Sequence, residues 1–145
     1  MADTSLDFIH PGHPLYDGEL DLRFRVLREP LGFTRADVKF PFEDDSLHLV
    51  AHADGTVLGC VLFHPEDAHG GRLFQMAVSS SLQGQGLGAR LVRALEEELR
   101  RRGFRHVHLH ARAPVVPFYE RLGYAVYGEP YEEVGIPHRH MQRDL

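Results

Sequence analysis

The sequence predicts an α/β fold in which a mixed, mostly antiparallel sheet of about seven strands is flanked by about four helices. A chain of 145 residues, 43% of them apolar, can bury a substantial core. Residues 47–64 have the pattern of a β-hairpin, and residues 72–111 read as strand, helix and strand, which is the pattern of a crossover connection. We expect a single domain over residues 1–145.

The strands are expected where apolar residues alternate with polar ones, or run together, between turn residues. They are residues 6–10, 47–53, 56–64, 72–78, 105–111, 124–128 and 138–142. Asp54-Gly55 separates the second strand from the third, and this dipeptide is typical of a type I′ hairpin turn.

The helices are expected where apolar residues recur every three or four positions. The first covers residues 17–29 and is ended by Pro30, and the second is a short helix over residues 35–39. The fourth covers residues 114–122. The third has the clearest pattern and ends at Gly103; its apolar residues are Leu87, Leu91, Val92, Leu95 and Leu99.

Composition and charge exclude several classes of protein. No run approaches the ~18 apolar residues of a membrane span, and no secretory signal is visible at the N-terminus. The single cysteine, Cys60, excludes a disulfide framework and favours the cytoplasm. The net charge of −5 argues against a general nucleic-acid binder. Residues 1–55 carry a net charge of −6 and residues 56–145 carry +1, which favours a cationic partner if it is more than surface variation.

Residues 83–88, Gln-Gly-Gln-Gly-Leu-Gly, lie between a buried strand and a helix. Glycines allow close backbone approach to a ligand, and the helix N-terminus adds unpaired N–H donors and the positive end of the helix dipole. The segment therefore predicts a phosphate or pyrophosphate site. Gly84, Gly86 and Ala89 formally satisfy a dinucleotide fingerprint, but no acid follows the next strand, so a nucleotide-binding domain is the weaker alternative.

Two blocks of the sequence resemble the GNAT superfamily of N-acetyltransferases. Gln83, Gly86 and Gly88 fit the acetyl-CoA loop of that family, Q/R-x-x-G-x-G/A, and residues 118–124 are similar to its F-Y-E-x-x-G-F/Y segment. The resemblance implies a GNAT-like fold and transfer of an acetyl group from acetyl-CoA to a primary amine, by direct attack in a ternary complex. A catalytically idle acyl-CoA sensor or interaction module on the same fold is the alternative.

The resemblance also implies roles for individual residues. Acetyl-CoA is the expected cosubstrate, with its pyrophosphate on the glycine loop and its pantetheine arm along the preceding strand. The residues implied to bind it are Met76, Ala77, Val78, Gln83, Gly84, Gln85, Gly86, Leu87, Gly88 and Ala89. Tyr119 is implied as the general acid for the CoA thiolate, and a packing tyrosine is the alternative. Arg112 stands where many members have an asparagine that contacts pantetheine, so that contact is not carried over. The alternatives for Arg112 are contact with a CoA phosphate, contact with an acidic acceptor, or a position in solvent.

The general base and the partners are less constrained by the sequence. A protein or small-molecule amine is the expected acceptor, a homodimer is allowed, and neither nucleic acid nor membrane is expected as a partner. A water chain is an alternative to a dedicated base, and each candidate residue also reads as a solvated loop residue. The candidates for the base are Glu43, Asp44, Asp45, Glu66 and His138.

Histidines are numerous, and two sets alternate along strands. His106, His108 and His110 share one side of their strand, and His138 and His140 share one side of the last strand. The family's strand order implies that the two sets lie side by side. No metal is expected, because no acid or cysteine joins the pattern. Cys60 lies in an apolar strand and is expected to be a buried hydrophobic residue rather than a nucleophile.

Overall fold

The computed structural model describes residues 3–145 and contains one seven-stranded sheet in the order β1-β2-β3-β4-β5-β7-β6. Neighbouring strands run antiparallel except β4 and β5, which are parallel. The strands are β1 Ser5–Ile9, β2 Leu47–Ala53, β3 Thr56–Pro65, β4 Gly70–Val78, β5 His106–Arg112, β6 Ala125–Glu133 and β7 Ile136–Asp144. The predicted fold class is confirmed.

Three α-helices cover the sheet within residues 3–145: α1 Tyr16–Arg23, α2 Leu87–Arg101 and α3 Val116–Arg121. The expected helix over residues 35–39 is wrong, because the chain forms only a 3₁₀ turn at Arg35–Asp37. Pro41 lies four residues beyond Asp37, and a segment this short has too few hydrogen bonds to propagate an α-helix. No helix of the described residues is long and apolar enough to cross a bilayer.

Buried side chains pack on both faces of the sheet at β2, β3 and β4. Leu49, Val61 and Phe63 point into a core beneath α2, while Val50 and Leu62 point into a second core beneath α1. Strands β2 and β3 are buried on both faces for this reason, which explains their nearly continuous apolar sequences. All five apolar residues that predicted α2 are buried.

Two turns and the end of α1 explain which of the expected strand and helix boundaries are correct and which differ in the structure. Asp54 and Gly55 both have positive φ angles, 51° and 77°, as the predicted type I′ turn requires. The last hairpin is longer than expected because Val134 and Gly135, with φ of 49° and 74°, form its turn. A β-branched residue in that conformation is rare, so the sequence gives no turn signal there. Helix α1 ends early and continues as a π-helical turn, Phe24–Arg28.

Candidate active site

The sheet opens between β4 and β5. Their parallel pairing covers only Gly70–Arg72 against His106–His108, whereas the other edge of β5 pairs with β7 along its whole length, His106–Arg112. The remainder of β4 therefore has a backbone edge that β5 does not cover. A cavity of about 350 Å³ lies at this opening, and residues from β4, β5, α3, the π-helical turn and the β6–β7 hairpin line it.

A bulge in β4 accompanies the opening. Leu62 pairs with Phe74 and Cys60 pairs with Ala77, so β4 has one more residue than β3 between these pairs. Gln75 has a φ of 53°, which is unusual for a residue other than glycine. The Cys60 thiol donates to the Gln75 carbonyl at 3.3 Å, and Arg23 Nε donates to Gln75 Oε1 at 3.3 Å. These two contacts hold the bulge from the α1 side of the sheet.

Arg23 belongs to a buried ionic network beneath α1. It donates to Glu19 Oε2 at 2.8 Å and to Glu43 Oε2 at 2.6 Å, and all three residues are buried. His48 Nδ1 lies 3.0 Å from Glu19, and its Nε2 lies 2.9 Å from the Glu43 carbonyl oxygen. Both partners accept hydrogen bonds, so both ring nitrogens donate and His48 is an imidazolium. Burial lowers its pKa, but the hydrogen bond and charge of Glu19 outweigh burial and raise the pKa overall.

The glycine loop follows β4 and leads into α2. Gly84 and Gly86 have φ angles of 82° and 84°, and Gly86 is the N-cap of α2 without a side-chain hydrogen bond. The first backbone N–H groups of α2 therefore lack a side-chain cap. Gln83 Nε2 donates to the Val78 carbonyl at 3.1 Å, which joins the loop to the end of β4. A Cβ atom on Gly88 would lie 3.3 Å from the Phe118 ring.

Tyr119 and Met76 are the two residues with predicted cosubstrate roles that line the cavity. Tyr119 is 5% exposed, and its ring packs edge-on against Tyr124 with centroids 5.7 Å apart. Burial raises the pKa of Tyr119, so its hydroxyl keeps its proton across the physiological range. Ala77 instead faces the core beneath α1, and residues 83–89 lie beyond the cavity in the loop and the first turn of α2.

The structure separates the candidate bases. Glu43 is held in the Arg23 network, Glu66 lies 2.5 Å from His108 Nε2, and Asp44 and Asp45 are exposed on a 3₁₀ turn. Of the five candidates, only His138 lines the cavity.

The tautomer of His138 leaves a basic nitrogen on the side of Glu133. Its Nδ1 lies 2.7 Å from the Ile136 carbonyl, which only accepts, so Nδ1 carries the proton. In the neutral ring Nε2 therefore has a free lone pair, and it lies 3.7 Å from Glu133 Oε2. His110 Nδ1 lies 2.9 Å from the other oxygen of Glu133.

Sequence reasoning missed Glu133 as a site residue. It lies beyond the expected end of β6 at residue 128, and the register shift between Tyr127 and Tyr131 hides the strand's periodicity. The pKa of Glu133 is lowered, because burial, which raises it, is outweighed by the hydrogen bond from His110. Glu133 is therefore a carboxylate at neutral pH.

The two histidine sets are adjacent, as expected from the strand order. His110 pairs with His140 across β5 and β7, and the two ring centroids lie 4.9 Å apart. His106 lies 2.8 Å from Asp144, so members of this face pair with carboxylates. Within residues 3–145, one group of side chains has potential ligand atoms close enough together to hold a metal ion: Glu19, Glu43 and His48. These atoms already form hydrogen bonds with Arg23 and with each other. The absence of a metal stays a prediction.

The sheet therefore opens beside the bulged strand β4, which leads to a glycine loop at the N-terminus of α2. The family model described as "Acetyltransferase (GNAT) family" matches residues 16–124. The chain therefore belongs to the GNAT acetyltransferase family, and the resemblance found in the sequence is confirmed.

Individual relatives agree with this family. The chain is 30% identical over 122 residues to "Uncharacterized N-acetyltransferase YitI" of Bacillus subtilis, covering 80% of this chain and 82% of that protein. An acyl-CoA N-acyltransferase from Pseudomonas aeruginosa has a similar structure, with a TM-score of 0.80, 26% identity and coverage of 97% and 99% of the two chains. An aminoglycoside 6'-N-acetyltransferase complexed with coenzyme A shares the fold, with a TM-score of 0.81, 20% identity and coverage of 97% and 96%.

Proposed function

We propose that this chain transfers the acetyl group of acetyl-CoA to a primary amine by direct attack in a ternary complex. The observation that supports this most is the arrangement of one cavity, which Met76 and Tyr119 line on the side of β4 and α3, and His138 on the side of β7. The uncovered edge of β4 leads from this cavity to the glycine loop. A cosubstrate with its pyrophosphate on residues 83–89 would run its pantetheine arm along that edge toward Tyr119.

The proton transfers follow from the two sides of the cavity. The neutral amine nitrogen attacks the thioester carbonyl carbon, a C–N bond forms, and the C–S bond breaks. His138 Nε2 accepts the proton that the amine nitrogen loses, directly or through one water. The Tyr119 hydroxyl donates its proton to the departing thiolate and is reprotonated from solvent.

An acyl-enzyme route through Cys60 is disfavoured by the structure. Cys60 is fully buried, and its thiol donates to the Gln75 carbonyl. Burial raises the pKa of this thiol, and a nucleophilic cysteine needs a lowered one. Direct attack by the amine is the simpler chemistry for this cavity.

The test is amine-dependent release of free CoA thiol. The purified protein is mixed with acetyl-CoA and a panel of primary amines at pH 8, and thiol release is followed with a chromogenic reagent. We expect release above the rate without amine for at least one acceptor, and mass spectrometry should find the N-acetyl product. CoA binding without release for any amine would instead support the idle acyl-CoA sensor. A cytoplasmic location and a homodimer stay predictions.

A further inference from the structure

The cavity has a positive lining in an acidic protein. Arg28 comes from the π-helical turn, Arg72 from β4 and Arg112 from β5, and all three line the cavity with Glu133 as the one carboxylate among the described lining residues. With its histidines neutral, the lining therefore has two positive charges in excess, whereas the whole chain has a net charge of −5.

No carboxylate of residues 3–145 forms an ion pair with any of these three guanidinium groups. Arg28 lies over the Phe33 and Phe40 rings at 5.6 and 5.9 Å, and Arg72 lies over Phe74 at 5.9 Å. Both have a buried Nε without a hydrogen-bond partner. All three side chains are half-buried, and Arg112 donates to the Leu27 carbonyl at 2.9 Å. A partly desolvated charge without a counter-charge is costly, so these groups are arranged for an anion that comes from outside the chain.

The arginines also repel one another. The pKa of Arg28 is lowered, first by burial and then by the positive charges of Arg112 and Arg23. The pKa of Arg112 is lowered by burial as well. Glu133, the one carboxylate among the described lining residues, is already engaged by His110 at 2.9 Å and faces His138. It therefore relieves this repulsion only in part.

The local backbone places Arg28 in the cavity. Helix α1 widens into a π-helical turn over Phe24–Arg28, and such turns often occur at functional sites. Arg25, in the same turn, is exposed and does not line the cavity. The turn thus presents one arginine to the cavity and another to solvent.

We propose that the acceptor of this enzyme is a small amine that also bears a carboxylate, which Arg28, Arg72 and Arg112 hold while its amine faces Glu133 and His138. This inference rests on the proposed function, because it names the substrate class of the same cavity. Guanidinium groups bind carboxylates through charge-assisted, often bidentate hydrogen bonds. A cavity of about 350 Å³ suits a small molecule. The acidic first half of the sequence favoured a cationic acceptor, but Glu19 and Glu43 from that half are neutralised inside the Arg23 network.

The first experiment measures anion binding without any turnover. Glutarate is titrated calorimetrically into the protein saturated with CoA, and inorganic phosphate is titrated separately. We expect glutarate to bind, and Arg28→Gln and Arg72→Gln each to weaken it by about 10- to 100-fold, the range for a lost charge-assisted hydrogen bond. The matched control Arg25→Gln should leave glutarate affinity unchanged. Absence of glutarate binding, or equal binding by all variants, would overturn the proposal.

Two further measurements distinguish a carboxylate-bearing acceptor from the other anions that these arginines could bind. CoA affinity should be the same in wild type, Arg28→Gln and Arg72→Gln; a parallel loss of CoA affinity would assign the arginines to the CoA phosphates and overturn the proposal. Phosphate that binds more tightly than glutarate, through the same arginines, would assign them to a phosphate-bearing ligand and reject the carboxylate.

The second experiment measures turnover along a series of matched acceptors. L-Glutamate, 4-aminobutyrate and propylamine have two, one and no carboxylates on related carbon chains, and 1,3-diaminopropane replaces the carboxylate by a second amine. We expect kcat/KM to be at least ~10-fold higher for the acids than for propylamine, and Arg72→Gln to remove that preference. Equal or faster turnover of 1,3-diaminopropane would contradict the inference. If no amine of any kind is acetylated, the proposed function fails, while the glutarate titration still decides the anion site.

Discussion

Tyr119 and Tyr124 pack against each other with ring centroids 5.7 Å apart, yet their hydroxyl groups have different surroundings. The Tyr124 hydroxyl donates to buried Glu96 at 2.9 Å. Burial is the sole cause that raises the pKa of Tyr119, and this residue lines the cavity. The pair therefore allows the proposed catalytic role of Tyr119 to be tested against the structural role of Tyr124.

We predict that Tyr119→Phe slows acetyl transfer by ~10²-fold, the lower end for general acid catalysis, with little change in stability. The defect should shrink as the pH approaches the thiol pKa of about 8.5, because the thiolate then leaves without a proton. The matched variant Tyr124→Phe should keep its turnover and lose about 1–2 kcal/mol of unfolding free energy, since Glu96 loses a hydrogen bond. Wild-type rates for Tyr119→Phe across this pH range would make water the proton source.

Buried His48 gives the stability of the protein a pH dependence. Its folded-state pKa is raised above the unfolded value of about 6.5. The stability that it contributes is therefore fully present below about pH 6.5 and is lost as the pH rises through the folded-state pKa.

We predict that His48→Gln lowers the free energy of unfolding by about 3–5 kcal/mol at pH 6, because one partner of a buried ion pair is removed. The difference from wild type should decrease toward pH 9, as measured by urea unfolding at both pH values. His52→Gln is the control on the same strand, since His52 pairs with exposed Asp7 and its loss should cost no more than about 1 kcal/mol. A difference for His48→Gln that stays constant with pH would show that this histidine is neutral.

Among the elements, α2 is begun and ended by glycines with nearly identical backbones. Gly86 at its start has a φ of 84°, and Gly103 just beyond its end has a φ of 86°. Neither has an atom within 4 Å of the position where a Cβ would lie. Substitution at either site therefore strains the backbone to a similar degree without a steric clash.

We predict that Gly86→Val lowers CoA affinity by at least ~10-fold, because the loop backbone can no longer approach the pyrophosphate in its present conformation. Gly103→Val should cost a similar amount of stability and leave CoA affinity unchanged. Calorimetric titration with CoA and thermal unfolding of both variants provide the two readouts. Equal CoA affinity for both variants would place the pyrophosphate away from this loop.

For the whole molecule, the opening between β4 and β5 is the feature that organises the others. It leaves a backbone edge of β4 uncovered beside a lined cavity. The core beneath α2 packs against both β4 and β5, and the core beneath α1 packs against β4 from the opposite face. A ligand that enters this opening binds only the folded state and so stabilises the whole chain.

We predict that CoA at about 100 times its Kd stabilises the folded state by about 2.7 kcal/mol. For a chain of this size, that stabilisation raises the unfolding temperature by about 5–10 °C. NAD and NADP at the same concentration should leave it unchanged. Differential scanning fluorimetry measures this directly. A comparable rise with NAD would support the nucleotide-binding alternative.

Local patterns predicted the parts of the fold that depend on neighbouring residues. The Asp54-Gly55 turn, the apolar face of α2 and the glycine loop each lie within one short segment, so propensity and periodicity identify them. The same reasoning overestimated the helix at residues 35–39, where the segment is too short to propagate an α-helix. It also shortened β6, because the register shift between Tyr127 and Tyr131 hides the periodicity of that strand.

The sequence alone determined the family and the succession of the seven strands, and it predicted the candidate cosubstrate residues, because contiguous motifs and short patterns carry them. Only the tertiary structure decided which charges share the cavity. Arg28, Arg72, Arg112 and Glu133 come from four separate segments, and no local pattern links them. Their juxtaposition depends on how far β4 and β5 separate and on where the π-helical turn and the last hairpin end. Charges that lie far apart in sequence interact only after the chain has folded, so the chemistry of the acceptor side is a property of the tertiary structure.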